Sequence, residues 1–554
     1  MAYPQITEYQ EAVQHPAHAF IDPDLKQGAV AENSLGLPLV MSGGFALTYA
    51  VTTPRRKCAV RCFHREIPAI QQKYDATSKK LRSLKIGCFV DFDFQQSGIS
   101  VRQKVFPIVR MDWVEGDTLG IWLDKNFNNR RAIEKARADF VVIARFLEKE
   151  GIAHGDIQNG NVMVANGDIK LIDYDGMFVP GMKPGNGSET GHRHFQHPGR
   201  RVSHFGPGMD RFSFIALDLS LRALLEDKSL YPKFREGGET IIFKANDFAD
   251  PQNSEIFRRL LAMPKLKEQA GSFAAICEAP LVAVPTLDDF LAGRKIPAKA
   301  PVNATLTPAS KPAAAAYISA YPVVDALNFS AALQRVGDRV ELVGRIVEIK
   351  PGSRKQGKSK SQRYVFINFG SWRGNIVKIS IWSDGLARLK EQPSAKWIGR
   401  WVSITGLMDV HETKLYKHLS ITVQDEGQIQ WLDDAQAGFR LASIAMAPSS
   451  RTRGSTGAAP VAAAAPPTAP PAPPAAAKTP RSRSPSTARS PTKRATPQPP
   501  PPAAATAAPV AAIASPAQPA PRSSGHLLAA LPRWMWVMIG IIIIALFALL
   551  RTVA

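Results

Sequence analysis

The chain has 554 residues and a formal net charge of +22, with 69 Lys and Arg against 47 Asp and Glu. That length is too great for one compact core and predicts several domains joined by linkers, while an apolar content of 45% is ordinary for a globular protein. The positive excess fits nucleic acid, acidic partners or an anionic membrane surface, but it is spread widely and sits partly in a linker, so it selects none of them.

Residues 1–294 mix alternating strands with long amphipathic helices and read as one large domain. Within it, "FVVIARFLEKEG" places Phe140, Ile143, Phe146 and Leu147 on one helical face before Gly151 stops the helix. The loop "HGDIQNGN" follows, and "VMV" and "IKLID" read as two short strands joined by an "ANGD" turn. Residues 295–324 are Ala/Pro-rich, as expected of a linker. From 325 to 441, "RVELVGRIVEIK", "RYVFINFG", "IVKISIW", "WVSITGLMDV" and "LSITVQ" alternate apolar and polar residues between turn signals, which predicts a small closed or nearly closed β-barrel. Residues 442–533 include a Pro/Ala-rich basic tract with almost no large apolar residue, expected to be a disordered tether. Its "KTPRSRSPSTARSPTKR" combines basic residues with Ser-Pro and Thr-Pro sites, which suits either contact with anionic lipid weakened by phosphorylation or a merely solvated linker.

"WMWVMIGIIIIALFALL", 534–550, is uncharged, apolar and flanked by Arg533 and Arg551. It is expected to be a transmembrane helix that inserts as a tail anchor, with the basic residues before it keeping the preceding domains cytoplasmic. Cys58, Cys62, Cys88 and Cys277 form no CxxC pair, and nothing at the N-terminus reads as a signal peptide. Both points fit a reducing, cytosolic compartment for most of the chain.

The chemistry-bearing stretch is "HGDIQNGNVMVANGDIKLIDYDG", His154 to Gly176. Folding its hairpin back brings Asp156, Asn161 and Asp173 near one point. Asp173 and Asn161 offer hard oxygen ligands of the kind that hold Mg²⁺ with phosphates. Asp156 is placed to orient a hydroxyl and accept its proton.

H-G-D-x-x-x-x-N followed by I-D-Y-D-G resembles the catalytic and metal-binding loops of the protein kinase superfamily, with Gly155 for the usual Arg and Tyr174 for the usual Phe. Five more elements, in the family's order across residues 35–292, extend the likeness. "PLVMSGGFALTYAV" resembles the phosphate-covering loop, "CAVRCF" the strand of the phosphate lysine, and "PIVRMDWVEGDTL" the adenine hinge. "FQHPGRR" with "MDRFSFIALDLSLRALL" resembles the end of the activation segment and the buried helix after it. The resemblance implies a bilobal α+β domain using ATP and Mg²⁺, with Asp156 orienting the acceptor and Asn161 and Asp173 as metal ligands. It further implies Gly43, Gly44 and Arg61 at the phosphates, backbone groups of Asp112 and Val114 at adenine, Met111 behind the pocket, and Asp210 bracing the catalytic loop.

Several positions depart from the family pattern. Met41 and Ala46 stand at outer glycine positions, and Arg61 stands where the family has Lys. Asp75 lies about where the family has the acidic partner of that lysine, and a pair with Arg61 is expected. Gln158 replaces the Lys common in serine/threonine kinases, which leaves the acceptor class open. Gly155 removes the arginine through which activation-loop phosphorylation usually acts. His192, His194 and His197 lack the paired spacing of a zinc module and read as polar loop residues.

The strand set of 325–441 resembles an OB-fold, and "KPGSRKQGKSKSQR" beside Tyr364, Phe366 and Trp372 suits single-stranded nucleic acid. The preferred reading is a protein-docking module whose aromatics alternate into the core. The whole is expected to be a membrane-tethered, ATP-dependent kinase-like phosphotransferase acting on Ser/Thr hydroxyls of a protein substrate. The alternative is a pseudokinase acting as a nucleotide-binding signalling scaffold.

Overall fold

Period-two alternation along the first strands decides which side chains reach the site. A computed structural model of the chain describes residues 3–446 apart from 34–35, 67–68, 85, 299–315, 356–360, 372–373 and 413–415. Residues 447–533 of the expected tether and the expected transmembrane helix at 534–550 lie outside the described residues. Among the described residues no helix is long and apolar enough to cross a membrane.

The described residues have a mixed α+β architecture and belong to one unit, Met1–Gly454. Helix α1 (Ile6–Val13) is followed by strands β1 (Val40–Ser42), β2 (Ala46–Thr52) and β3 (Lys57–Phe63), helix α2 (Ile70–Arg82), and strands β4 (Phe92–Val101) and β5 (Lys104–Asp112). The strands, with Ala29–Val30, form a six-stranded antiparallel sheet in which β3 lies between β2 and β5. Cys58, Val60 and Cys62 point to the face packed with Tyr9 and Val13 of α1. Phe63 and Arg61, odd-numbered on the same strand, therefore point to the opposite face, where Phe63 joins the large core shared with the helices.

Helix α3 (Arg130–Glu150) starts at an Asn129 cap and ends where Gly151, at φ 62°, turns left-handed and donates its amide to the last carbonyls. Phe140, Ile143 and Leu147 are buried on its inner face, against helix α4 (Arg211–Glu226). Strands β6 (Val162–Ala165) and β7 (Asp168–Leu171) make the expected hairpin. Asn166 and Gly167 at its tip both have positive φ, as the tight turn requires. The Leu171 amide donates to the Cys88 carbonyl at 2.7 Å, which ties the hairpin to the segment leading into β4.

The C-terminal β region contains β8 (Arg339–Arg345), β9 (Glu348–Lys355), β10 (Ser361–Asn368), β11 (Ile376–Trp382), β12 (Trp401–Leu407), β13 (Asp409–Glu412), β14 (Lys417–Val423) and β15 (Ile429–Leu432), then helix α5 (Asp434–Met446). Two corrections follow. The expected barrel does not close: Val323–Asp325, β8, β12 and β15 form one sheet, and β9, β10, β11, β14 and β13 form another. The chain changes sheets between β12 and β13 just after Met408, whose amide still donates to the Asp338 carbonyl at 2.9 Å in the register of the β8–β12 pairing. Helix α5 runs to Met446.

The second correction concerns the aromatics. Val365, Ile367, Ile379 and Ile381 fill the core between the sheets. Tyr364 and Phe366, one residue out of phase, fall on the outer face with Trp382, at centroid separations of 4.9, 5.6 and 6.0 Å. They do not alternate into the core. Trp372 lies outside the described residues, as do residues 356–360 of the basic loop beside them, whose remainder belongs to β9 and β10.

Candidate active site

The loop from His154 is set by a buried carboxylate. Asp210, at the start of α4, accepts the His154 and Gly155 amides, the latter at 2.8 Å. Gly155 sits at φ +87°, and a Cβ there would collide with the Gly176 carbonyl. The backbone thus excludes the arginine that the resemblance would place at this position. The His154 ring donates to the Ile172 carbonyl at 2.9 Å, which fastens this loop to the one carrying Asp173. Burial pushes the Asp210 carboxyl above its ordinary range, and the two amide donors act against that shift.

Asp156, Asn161 and Asp173 come together as expected from the hairpin. The Asn161 side-chain amide donates to Asp156 Oδ2 at 2.7 Å, and the His192 backbone amide donates to Asp156 Oδ1 at 2.6 Å. Both oxygens of Asp156 are therefore oriented by the protein. Burial raises the Asp156 carboxyl, with His192 lowering it in part.

Arg61 reaches across from β3 as a fork. Its two terminal nitrogens donate to Asp173 Oδ1 and Asp175 Oδ2, each at 2.6 Å. Burial works against the charges of this triad. The Arg61 guanidinium nevertheless holds the Asp173 carboxyl below the ordinary range. The Asp175 carboxyl is raised by burial. Asp173 adopts φ +68°, uncommon outside glycine, so its placement is imposed by these partners. The expected pair between Arg61 and Asp75 is not formed; Asp75 is exposed on α2, and the residues of α2 that face the site are its neighbours.

Those neighbours were not singled out from the sequence. Lys73 donates to the Asp175 carbonyl at 2.9 Å and to the Ser188 hydroxyl at 3.0 Å, and the Tyr74 hydroxyl donates to Asp175. Glu189 faces Asp156, Asp173 and Asp175, and burial with that company raises its carboxyl well above the usual range. The only available signal was the helical spacing of α2, which does not say which turn faces a loop a hundred residues away.

The remaining candidates lie on other segments, each with contacts of its own. Gly43 and Gly44 lie between β1 and β2; the Gly43 amide donates to the Ala46 carbonyl at 2.9 Å, closing a tight turn. A Cβ on Gly44 would meet nothing, so that position faces open space. Asp112 ends β5, with its amide on the Asp91 carbonyl at 3.0 Å and its carboxylate on Arg56 at 2.5 Å. Val114 follows, half-buried against the large core, while Met111 is buried within it. Gln158 turns its side chain back onto the Gly160 amide at 2.8 Å. His192, His194 and His197 are buried with separate partners, Glu239, the Ala245 amide and the Ile276 carbonyl.

Among the described residues no group of three or more His, Cys, Asp and Glu side chains is arranged to hold a metal. The Asp173 and Asn161 pair is a different donor set, one carboxylate and one amide oxygen. The hydrogen bonds to Asp173 fall on Oδ1, leaving Oδ2 for a cation. Asn161 uses its NH₂ on Asp156, leaving its carbonyl oxygen. Hard oxygens of this kind suit Mg²⁺. No protein-family model matches the chain, and no curated protein matches it in sequence.

Proposed function

We propose that residues 1–294 form a bilobal protein-kinase-like domain and that the chain is a membrane-tethered, ATP-dependent phosphotransferase acting on protein hydroxyl groups. The observation that carries this reading is the convergence of Asp156, Asn161 and Asp173 with Arg61, drawn from three separate segments. In this role Asp156, held at both oxygens, orients the acceptor hydroxyl and takes its proton. Asp173 Oδ2 and the Asn161 carbonyl would hold Mg²⁺, which would neutralise charge on the phosphates of ATP. Arg61 fixes Asp173 and brings positive charge to the same place. Gly43 and Gly44 would let backbone approach the phosphates, and Asp112 and Val114 would meet the adenine. Residues 534–550 would anchor the protein, with the domains before them cytoplasmic.

The pseudokinase reading has its own support: both terminal nitrogens of Arg61 are occupied by carboxylates, so phosphate must compete for them. Magnesium-dependent phosphate transfer, with Asp173→Ala as control, separates the two.

A second, independent binding function is supported by the OB-like region. Tyr364, Phe366 and Trp382 form an outward row with the Lys378 ammonium 4.2 Å from the Phe366 centroid. Stacking faces beside positive charge suit single-stranded nucleic acid. Oligonucleotide binding by the full chain, and its loss in Phe366→Ala, tests this.

A further inference from the structure

The β region is packed against the residues that hold Asp156. His192, whose amide donates to Asp156 Oδ1 at 2.6 Å, turns its ring to Glu239 Oε2 at 2.8 Å. Glu239 belongs to the segment after α4, and its other partners come from beyond residue 316. Arg339, the first residue of β8, donates to Glu239 Oε1 at 2.9 Å, and the Tyr321 hydroxyl donates to Oε2 at 3.3 Å. The Tyr321 ring also lies edge-on to the His192 ring, with centroids 5.6 Å apart, and the Arg339 guanidinium stands 5.0 Å over the Tyr321 centroid. The contact extends along the same seam, where the Gly238 amide donates to the Gly427 carbonyl at 2.8 Å and Arg440 approaches Glu236 at 3.5 Å.

The same β region also touches the first sheet. Arg65 bonds Asp338 and the Gly337 carbonyl, and the Gln424 side chain donates at 3.3 Å to the Val40 carbonyl of β1, the strand leading to Gly43 and Gly44. Leu407 of β12 packs into the core under α1. A module that merely followed the preceding domain in sequence has no need of contacts with both the first sheet and the Glu239 segment. This one braces both, and its chain of contacts ends on the residue assigned to the acceptor hydroxyl.

We propose that Arg339 and Tyr321 of the β region are positioning residues for Asp156, acting through Glu239 and His192, so that the β region is a built-in part of the active site. The proposal rests on the phosphotransferase reading. Arg339 fixes one oxygen of Glu239 and Tyr321 the other; Glu239 fixes the His192 ring, and the His192 backbone presents its amide to Asp156. Neither Arg339 nor Tyr321 touches the reacting atoms. Loss of either loosens the carboxylate that must be aligned with the acceptor, without touching Arg61, Asn161 or Asp173.

The test uses the full chain in detergent, with Mg²⁺ and ATP and with casein as a generic phosphoacceptor. Three quantities are read: nucleotide affinity, transfer rate, and hydrogen exchange of the His192 amide. In Arg339→Ala the His192 amide should exchange faster and transfer should fall by up to roughly a hundred-fold, the cost of a misplaced catalytic group. Nucleotide affinity should stay within about two-fold of wild type, a split that uniform loosening of the domain does not give. Arg339→Lys, which keeps a donor for Glu239, should recover much of both the amide protection and the transfer. Should Arg339→Ala lower the melting temperature markedly, Tyr321→Phe, which removes one hydroxyl and keeps the ring, is read in its place. Unchanged transfer, or unchanged exchange at His192, in a folded variant overturns the proposal and leaves the phosphotransferase standing. A wild-type chain with no metal-dependent nucleotide binding and no transfer overturns the phosphotransferase reading, while exchange at His192 still decides whether the β region holds that segment.

Discussion

Arg61 and Asp173, 112 residues apart along the chain, meet at 2.6 Å beneath the first sheet, and Asp175 takes the other arm of the same guanidinium. Removing the cation leaves carboxylates buried without compensation. Arg61→Ala should therefore destabilise the protein by roughly 3–5 kcal/mol, the usual cost of breaking a buried pair by deleting one partner. Arg61→Lys keeps the charge but cannot serve both carboxylates as a fork, and should fall between the two. Urea unfolding of the three proteins gives the order directly.

Gly155 makes a second prediction. Its left-handed backbone and the Gly176 carbonyl behind it leave no room for a side chain. Introducing the arginine that the resemblance to protein kinases would place here, by Gly155→Arg, should disrupt the loop rather than improve it. The backbone term alone is about 1–2 kcal/mol. Thermal unfolding should show a lower midpoint, and transfer should be lost along with it.

Acid should loosen the seam between the β region and the segment holding Glu239. Burial opposes the Glu239 charge, but Arg339, His192 and His194 override it and hold the carboxyl well below its ordinary 4.5. Tyr321 adds a hydroxyl donor on the same carboxylate. A depressed value means that the Glu239 contribution is complete above pH 4.5 and is lost as pH falls through the lowered value. Exchange of the Gly238 amide should stay slow down to that range and accelerate below it. In Glu239→Gln this acid step should be absent.

The parts of this architecture that local patterns encode were legible in advance. The helix ending at Gly151 and the hairpin turning at Asn166 and Gly167 follow from apolar spacing and turn chemistry, and they bring Asp156, Asn161 and Asp173 together. What local pattern cannot encode is which distant segment completes a site. Asp75 was the expected partner of Arg61 from its distance along the chain, yet the helix turns Lys73 and Tyr74 inward instead. His192 looked like one more polar loop residue, because its partners Glu239, Tyr321 and Arg339 belong to other elements. Alternation located the strands of the β region but not their closure, since sheet membership depends on where the chain crosses between sheets, as it does after β8, β11, β12 and β14. A shift of one residue in phase likewise decided that Val365 and Ile367, not Tyr364 and Phe366, line the core.

The outward aromatic row predicts a salt-sensitive interaction. Oligonucleotide affinity of the full chain should fall steeply as salt rises, because Lys378 and its neighbours displace counterions from phosphate. Tyr364→Ala and Phe366→Ala should each cost about 1–3 kcal/mol of binding, the range for one stacked base. Binding that survives both substitutions would place the nucleic-acid contact elsewhere.

Metal-dependent nucleotide binding, compared across wild type, Asp173→Ala and Asp156→Ala, tests the central claim most directly. Wild type should bind ATP only with Mg²⁺ present. Asp173→Ala should lose that dependence and most of the affinity, whereas Asp156→Ala should bind as wild type does while its transfer to protein falls by about two to four orders of magnitude. Equal, magnesium-independent binding by wild type and Asp173→Ala, with no transfer to any acceptor, would contradict the phosphotransferase reading and leave a scaffold.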